Sequence, residues 1–252
     1  NLSYMSFTNQ ELVSNLRAIA ASSVVELIIE RDRVDQVPTE LLAKIASQLK
    51  KINLSWSYPT TEQCVAVLEA CVPPTTMTQV DWQRYHTLSG LPVDLLARAF
   101  GKLPQMTHVN LEWCQSLRKV SVDLLVKALS NLTQINLNNT LLTRQHYLAV
   151  VEMCVTSPSP KDLGRSLIRA TLTDVPSQTL GRMAENMTKL DLSLCHLPTD
   201  KYISVLNACV SSPQLVDLSL HWVNLTDVPP QARGQAARHL TKLDLGRCDL
   251  TT

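Results

Sequence analysis

The sequence predicts an α/β solenoid, in which short strands and helices alternate in stacked repeats. A phrase of two apolar residues around a central residue, as in Ile52-Asn53-Leu54, returns along the whole chain of 252 residues. Its second apolar residue, the anchor, occurs at ten positions: Leu2, Ile29, Leu54, Trp82, Leu111, Leu137, Leu167, Leu192, Leu220 and Leu245. The mean spacing is (245 − 2)/9 = 27 residues. Such a period is typical of units that bury their apolar faces only against their neighbours.

Two kinds of unit nearly alternate, and each predicts one strand and one helix. In the first kind, a threonine precedes apolar residues at helical spacing, in segments 61–72, 143–155 and 199–210. The threonines Thr61, Thr143 and Thr199 are expected to be N-caps, and prolines follow each segment as stop signals. In the second kind a proline opens the helix, where its missing N–H would have no partner. These prolines are Pro38, Pro92, Pro176 and Pro229.

Two segments depart from the repeat. Arg165 stands where neighbouring phrases have leucine or valine, in the longest unit. In the last helix Arg233-Gly234 replaces the Leu180-Gly181 pair of an earlier unit. We therefore expect a distortion near residues 157–168 and a frayed final helix.

The strand phrase, LxLxxC or LxLxxT, resembles the leucine-rich repeat over essentially the whole chain. Residues 190–197, Leu-Asp-Leu-Ser-Leu-Cys-His-Leu, show the motif most completely. The unit length and the helix in each unit are similar to those of the ribonuclease-inhibitor-like subclass, and the paired units resemble the sensing arms of NOD-like receptors. The resemblance implies a right-handed β-α superhelix. Strands stack about 4.8 Å apart whereas helices need about 10 Å, so a curved horseshoe with a parallel concave sheet and outer helices is expected.

Length and charge narrow the class of protein. The repeat predicts a single leucine-rich-repeat domain over residues 1–252, with about ten repeats; because both ends lack a polar cap, we expect it to be a fragment of a longer protein. The net charge is +1 without a long Lys/Arg run, which disfavours nucleic acid as a partner. No apolar stretch approaches the ~20 residues that span a bilayer, and no signal peptide is recognisable, so no membrane partner is expected.

Six of the seven cysteines recur at two fixed repeat positions, Cys64 being the exception, and all seven are expected to be reduced, structural side chains rather than disulfides or metal ligands. This pattern favours a cytoplasmic location. Six N-x-S/T sequons leave an extracellular location open as the alternative: Asn1, Asn53, Asn131, Asn138, Asn186 and Asn224.

The sequence contains no motif for catalysis or for a cofactor. HExxH, GxSxG, Walker and GxGxxG patterns are absent, and the six histidines fall at unrelated repeat positions. A thiol–base pair could be sought in Cys64 or Cys154 with His146, which lies near Cys154 in the sequence, but both cysteines occupy helix positions that should face the core. The expectation is a protein that is not an enzyme, with no cofactor and no metal.

The most informative position lies two residues after each anchor, at the end of the strand and the rim of the concave face. Tryptophan, tyrosine and arginine, which dominate binding hot spots, recur there. The predicted partner-binding residues combine this position with adjoining concave ones: Tyr4, Glu30, Arg31, Trp56, Arg84, Glu112, Trp113, Asn139, Arg169, His221, Trp222 and Arg247. The alternative is a self-packed ladder of cation–π pairs that needs no ligand, although such a ladder can also be exposed.

The sequence thus predicts a non-enzymatic protein-binding module that uses its concave sheet face and a Trp/Arg edge. The alternative is a ligand-sensing or autoinhibitory arm of a larger signalling receptor of innate immunity, NOD-like in kind, or of an F-box-type substrate receptor. Unpaired strand edges in the end repeats also leave end-to-end self-association open.

Overall fold

The structure is a computed structural model that describes residues 2, 7–30, 33–71, 77–83, 106–157, 161–163, 167–212 and 214–250. The chain divides into two compact units, residues 1–132 and 133–252, and each is described by itself. Three predicted site residues, Tyr4, Arg31 and Arg84, lie outside the described residues, as do Pro92 and Arg165. The single-domain expectation for residues 1–252 stays a prediction.

Unit 1 alternates strands with helices along the chain. Its described elements are α1 Asn9–Ala20, β1 Glu26–Ile28, a 3-10 turn Val34–Gln36, α2 Thr39–Ala46, β2 Lys51–Asn53, α3 Thr61–Cys71, β3 Gln79–Asp81, β4 His108–Asn110, a 3-10 turn Gln115–Lys119 and α4 Val122–Leu129. The strands pair in parallel in chain order, with Leu27, Ile52, Val80 and Val109 in register.

Unit 2 repeats the same alternation. Its described elements are β5 Gln134–Asn136, α5 Arg144–Thr156, β6 Lys161–Asp162, α6 Ser177–Glu185, β7 Met187–Asp191, α7 Thr199–Ser211, β8 Asp217–Ser219, α8 Pro230–His239 and β9 Lys242–Asp244. The strands are again parallel and in chain order. Among the described helices of both units, none combines the length and the apolar character needed to cross a membrane.

The anchors form the core beneath each sheet, as the 27-residue period predicts. The eight anchors from Ile29 to Leu220 are at most 2% exposed, and the large Trp82 is fully buried among them. Several anchor N–H groups also continue the sheet by one bond: that of Leu54 donates to Asp81 O at 3.0 Å, and that of Leu192 to Ser219 O at 2.9 Å. At these strands burial and the extended ladder together hold the strand end in place.

Helix starts follow the predictions in part. The Thr143 hydroxyl accepts the His146 N–H and caps α5 as expected. The other two threonines are not caps: α3 is preceded by Thr60, whose hydroxyl accepts from Gln63 N at 3.2 Å, and α7 begins at Thr199 after Pro198. At α2, α6 and α8 a proline stands at the N-cap, one position before the helix, because its φ near −57° leads directly into helical backbone.

The expected distortion is confirmed, and the expected fraying is wrong. Strand β6 has only two residues and its register against β7 shifts, from Lys161 opposite Met187 to Asp162 opposite Lys189. Helix α8 is continuous over ten residues, although Ala236 is the only buried side chain in it. The Pro229-Pro230 pair pre-sets its first turn, which compensates for poor burial.

Candidate functional site

The residue two positions after the anchor leaves the strand through a left-handed turn. All seven residues at this position that the structure describes have a positive φ between 56° and 65°: Trp56, Trp113, Asn139, Arg169, Leu194, Trp222 and Arg247. Only asparagine among these adopts that region readily, and a bulky residue there costs about 1–2 kcal/mol. Sequence reasoning missed this turn because no glycine marks it.

A side-chain hydrogen bond accompanies the turn in most repeats, although Arg169 and Trp222 adopt the turn with serine before the anchor. The residue before the anchor is Asn or Asp in six described repeats, and its Oδ1 accepts the N–H two residues later at 2.8–3.1 Å. These residues are Asn53, Asp81, Asn110, Asn136, Asp191 and Asp244. An Asx side chain that bonds its own backbone two residues on is a turn signal, and it was present in the sequence.

The turn residue is then held by the next repeat. The backbone N–H of Trp56 donates to Gln83 O at 3.3 Å, and that of Trp222 donates to Gly246 O at 3.0 Å. The side chains stay accessible to different extents: Trp222 is 48% exposed, Arg169 and Arg247 are exposed, and Trp56, Trp113, Asn139 and Leu194 are half-buried. The tryptophans of this position are therefore not part of the core, unlike Trp82.

The strand face of unit 1 carries a network of side-chain hydrogen bonds between neighbouring strands. Asn53 Nδ2 donates to Glu30 Oε1 at 2.9 Å, and Gln83 Nε2 donates to Glu112 Oε2 at 3.1 Å. Asp81 accepts from Ser55 Oγ at 2.7 Å and from Asn110 Nδ2 at 3.2 Å, in addition to its own turn. The acidic groups of this face are thus engaged within the sheet.

The strand face of unit 2 contains a groove of about 510 Å³ over β7, β8 and β9. It is lined by Ile168, Lys189, Leu190, Asp191, Ser193, Leu194, Asp217, Ser219, His221, Lys242 and Asp244. Of these, His221 was predicted as a site residue, whereas the charged groups at 189, 217 and 242 were missed. They lie two residues before Asp191, Ser219 and Asp244. Because alternate residues of a strand point to the same face, this spacing could have predicted that they share the face of those residues.

Charged and polar groups contact one another across the groove. Lys242 Nζ lies 3.4 Å from Asp217 Oδ2, and His221 Nδ1 lies 3.6 Å from Asp244 Oδ1. The hydrogen bond from the Gly246 N–H lowers the pKa of Asp244 below its usual value, and His221 lowers it further. The groove therefore keeps a carboxylate ionised beside an imidazole.

Trp222 follows His221, which lines this groove, and is not itself a lining residue. The Arg247 guanidinium carbon lies 5.0 Å from the centre of the indole ring, and the His221 ring meets the indole edge-on at 6.2 Å. The self-packed cation–π arrangement is thus present at this pair, yet about half of Trp222 remains exposed. One indole face supports the arginine while the rest of the ring is accessible.

The residues that could suggest thiol chemistry are buried structural groups. Burial raises the pKa of Cys154 to about 12, and Cys64 is fully buried. His146 is 4% exposed and its ring contacts the Thr143 hydroxyl at the start of α5. Within the described part of the chain, no group of three or more His, Cys, Asp or Glu side chains is arranged to hold a metal ion.

Comparison with solved structures agrees with this architecture. The leucine-rich-repeat-containing protein LegL7 from Legionella pneumophila matches 94% of this chain and 78% of its own, with a TM-score of 0.55 and 19% identity. The chain has the leucine-rich-repeat fold. No protein-family model and no curated protein matches the sequence, and the ribonuclease-inhibitor-like subclass stays a prediction.

Two further solved structures match less well. The Toll–Spätzle complex from Drosophila matches 98% of this chain but 35% of its own chain, at 15% identity and a TM-score of 0.48. The Rad7–Elc1 complex from yeast matches 96% of this chain and 77% of its own, at 12% identity and a TM-score of 0.47.

Proposed function

We propose that this leucine-rich-repeat chain is a non-enzymatic recognition module that binds a protein partner on its strand face. The observation that carries the proposal is Trp222, which is 48% exposed and whose ring meets that of His221, a lining residue of a groove of about 510 Å³. Large exposed aromatic side chains beside a concave polar surface are typical of binding hot spots.

The exposed part of Trp222 is large enough to matter for affinity. An indole side chain has up to about 250 Å² of surface, so covering the exposed half removes roughly 100 Å² from water. At about 25 cal/mol per Å² this contributes about 2.5 kcal/mol. Arg247 adds a guanidinium that is already held against the ring, and a partner carboxylate could therefore bind it in a bidentate way with little further ordering.

Unit 1 offers a second, weaker surface of the same kind. Trp56 and Trp113 are half-buried at the same repeat position, and Glu30 and Glu112 are hydrogen-bonded to neighbouring strands. We include these residues, with Asn139 and Arg169, in the proposed partner-binding surface. Tyr4, Arg31 and Arg84 stay predictions.

The buried thiols support a binding role rather than catalysis. A thiol needs a low pKa to act as a nucleophile, whereas burial raises the pKa of Cys71, Cys154 and Cys195 to about 12. The three strand-end thiols donate hydrogen bonds to the anchor of the preceding repeat: Cys114 to Trp82 O at 3.2 Å, Cys195 to Leu167 O at 2.9 Å and Cys248 to Leu220 O at 2.8 Å. Their chemistry is used for packing.

The same thiols and the sequons favour the cytoplasm as the proposed location. All seven cysteines are free thiols. The Asn186 amide donates to Cys154 O and Val155 O at 3.2 and 2.9 Å, and Asn138 is 5% exposed. A glycan at either asparagine would have to break these arrangements, although Asn131 and Asn224 are exposed.

The test compares two single substitutions against one purified partner. Proteins retained by the immobilised full chain are identified, and the affinity of each purified candidate is measured by calorimetry. W222A is expected to weaken binding of the true partner about 30-fold or more, since hot-spot truncations cost about 2 kcal/mol or more.

The matched control is V210A, which removes an exposed apolar side chain from helix α7, outside the groove lining. It is expected to leave the affinity unchanged. The proposal is wrong if W222A binds as tightly as the wild type while its circular dichroism shows an intact fold.

A further inference from the structure

The floor of the unit 2 groove is a regular grid of side chains. Strands β7, β8 and β9 pair in register, so Lys189, Asp217 and Lys242 form one row across the strands. A second row, two residues further along, consists of Asp191, Ser219 and Asp244. Rows along a strand are about 6.6 Å apart, which is also the spacing of alternate side chains in an extended peptide.

The two rows differ in charge. The first row carries two lysines and one aspartate, and Asp217 already pairs with Lys242 at 3.4 Å. Lys189 is exposed and has no ion pair or hydrogen bond with the described residues, so the row has cationic capacity left. The second row places two carboxylates on either side of Ser219, about 10 Å apart at the usual strand spacing.

The carboxylates of the second row have acceptor capacity that the fold does not use. The strand-end turn needs only an Oδ1 atom, and the chain uses asparagine for it at 53, 110 and 136. Asp81 shares its extra charge among neighbouring donors, as described above. Among the described residues, Asp191 accepts only the Ser193 N–H, at 2.9 Å, although an ionised carboxylate can accept about four hydrogen bonds.

Beyond the second row the three strands end in positions of mixed character. The next positions are Ser193, His221 and Gly246, which are a small residue, an imidazole and a residue without a side chain. After them come Leu194, Trp222 and Arg247; Trp222 is 48% exposed, and the Arg247 guanidinium carbon lies 5.0 Å from the centre of its ring. A ligand that follows β7 thus meets cationic, anionic, small and apolar positions in that order, with Trp222 at the matching repeat position after β8.

We propose that the groove binds an extended peptide segment of the partner with complementary order: an acidic side chain, a basic side chain two residues away, and an aromatic side chain three residues beyond the basic one. This inference rests on the proposed function and specifies the partner for that site. The acidic group faces Lys189 and Lys242, the basic group lies between Asp191 and Asp244, and the aromatic group packs on Trp222. The basic residue is central whichever direction the peptide runs.

The test uses synthetic peptides with blocked ends and the full chain. The probes are Glu-Ser-Arg-Ser-Ser-Phe and its reverse, and the controls have the same composition with Glu and Arg exchanged. Binding is measured by fluorescence anisotropy of a labelled peptide. At least one probe direction is expected to bind about fivefold more tightly than its exchanged control, since two exposed charge pairs are reversed.

The variant D191N/D244N keeps both Oδ1 acceptors and removes both charges. This double variant is expected to bind the probe peptides no more tightly than their exchanged controls. D227N, which neutralises an exposed aspartate outside the groove lining, is expected to keep the preference for the probe. Equal binding of probes and controls, no binding of either, or a preference that survives in D191N/D244N would each overturn the charge order.

W222A separates this inference from the proposed function. If W222A weakens binding of the captured protein partner while the peptides show no order preference, the recognition surface stands and the assigned ligand chemistry is wrong. If W222A leaves partner binding unchanged, the proposed function itself fails.

Discussion

Two helix glycines should respond in opposite ways to the same substitution. Gly181 lies in α6 and Gly234 lies in α8, both in helix interiors. Alanine stabilises a helix interior by about 1 kcal/mol relative to glycine. At Gly234 a new Cβ would meet nothing within 4 Å, so G234A should stabilise unit 2 by about 0.5–1 kcal/mol.

At Gly181 the neighbouring helix α7 reverses the outcome. A Cβ there would lie 2.7 Å from Ser204 Oγ and 3.3 Å from the Ser204 carbonyl oxygen. Ser204 Oγ donates to Ser177 O at 2.7 Å, and displacing it costs about 1 kcal/mol. The tight contact with the carbonyl adds an overpacking cost of about 1–3 kcal/mol. After the gain in helix propensity, G181A should destabilise the protein by about 1–3 kcal/mol.

The assay is urea unfolding followed by circular dichroism, with G181A, G234A, S204A and G181A/S204A compared with the wild type. Because S204A removes the hydroxyl, the cost of G181A should fall by about 1 kcal/mol in that background. If G181A stabilises the protein as G234A does, or if the cost of G181A is the same with and without Ser204, the close approach of α6 and α7 is not what limits this position.

Three further predictions follow from buried polar groups, thiols and one carboxylate. Q63L should destabilise the protein by about 2 kcal/mol, measured by urea unfolding, because Gln63 Nε2 binds two buried carbonyl oxygens at 2.7 and 2.8 Å; an unchanged midpoint would contradict this. In native protein at pH 8, iodoacetamide should modify the half-buried Cys248 before the buried Cys154. The Cys154 thiol has a pKa of about 12 and is therefore ionised in roughly 1 molecule in 10⁴ at this pH. Early labelling of Cys154, detected by mass spectrometry, would refute this prediction. Because the pKa of Asp244 is lowered in the folded state, its ionisation stabilises the fold at pH values above the ordinary pKa of 3.8. This contribution is lost as the pH falls through the pKa of the folded state. D244N should therefore lose less stability than the wild type between pH 7 and pH 3, and an equal loss would exclude the linkage.

The sequence was sufficient for the parts of the fold that depend on periodicity. Anchors such as Leu54 and Leu192 recur because each must be buried under its strand, and burial follows directly from apolar residues at a constant spacing. The register shift at Lys161 and Asp162 was predictable for the same reason, since Arg165 interrupts the apolar pattern of that repeat in the sequence. Helix starts were less predictable: Thr60 rather than Thr61 precedes α3, because several residues near a helix start can satisfy the same N–H groups.

The residues of the candidate site were also predictable from the sequence only in part. The rim position of Trp222 and Arg247 was visible in the sequence as a repeated choice of residue type. The charged rows were not recognised, because Lys189, Asp217 and Lys242 are ordinary polar residues until strand register places them side by side.

What the sequence determined by itself was the repeating α/β architecture and which residues share a repeat position, because both depend on local spacing and burial. The tertiary structure decided how much of each side chain is accessible and which groups are already engaged. Asp81 and Asp191 occupy the same repeat position, yet the first accepts hydrogen bonds from neighbours in the sheet, whereas the second, among the described residues, accepts only the N–H of its own turn. That difference comes from contacts between residues about 27 positions apart, which only stacking of the repeats creates.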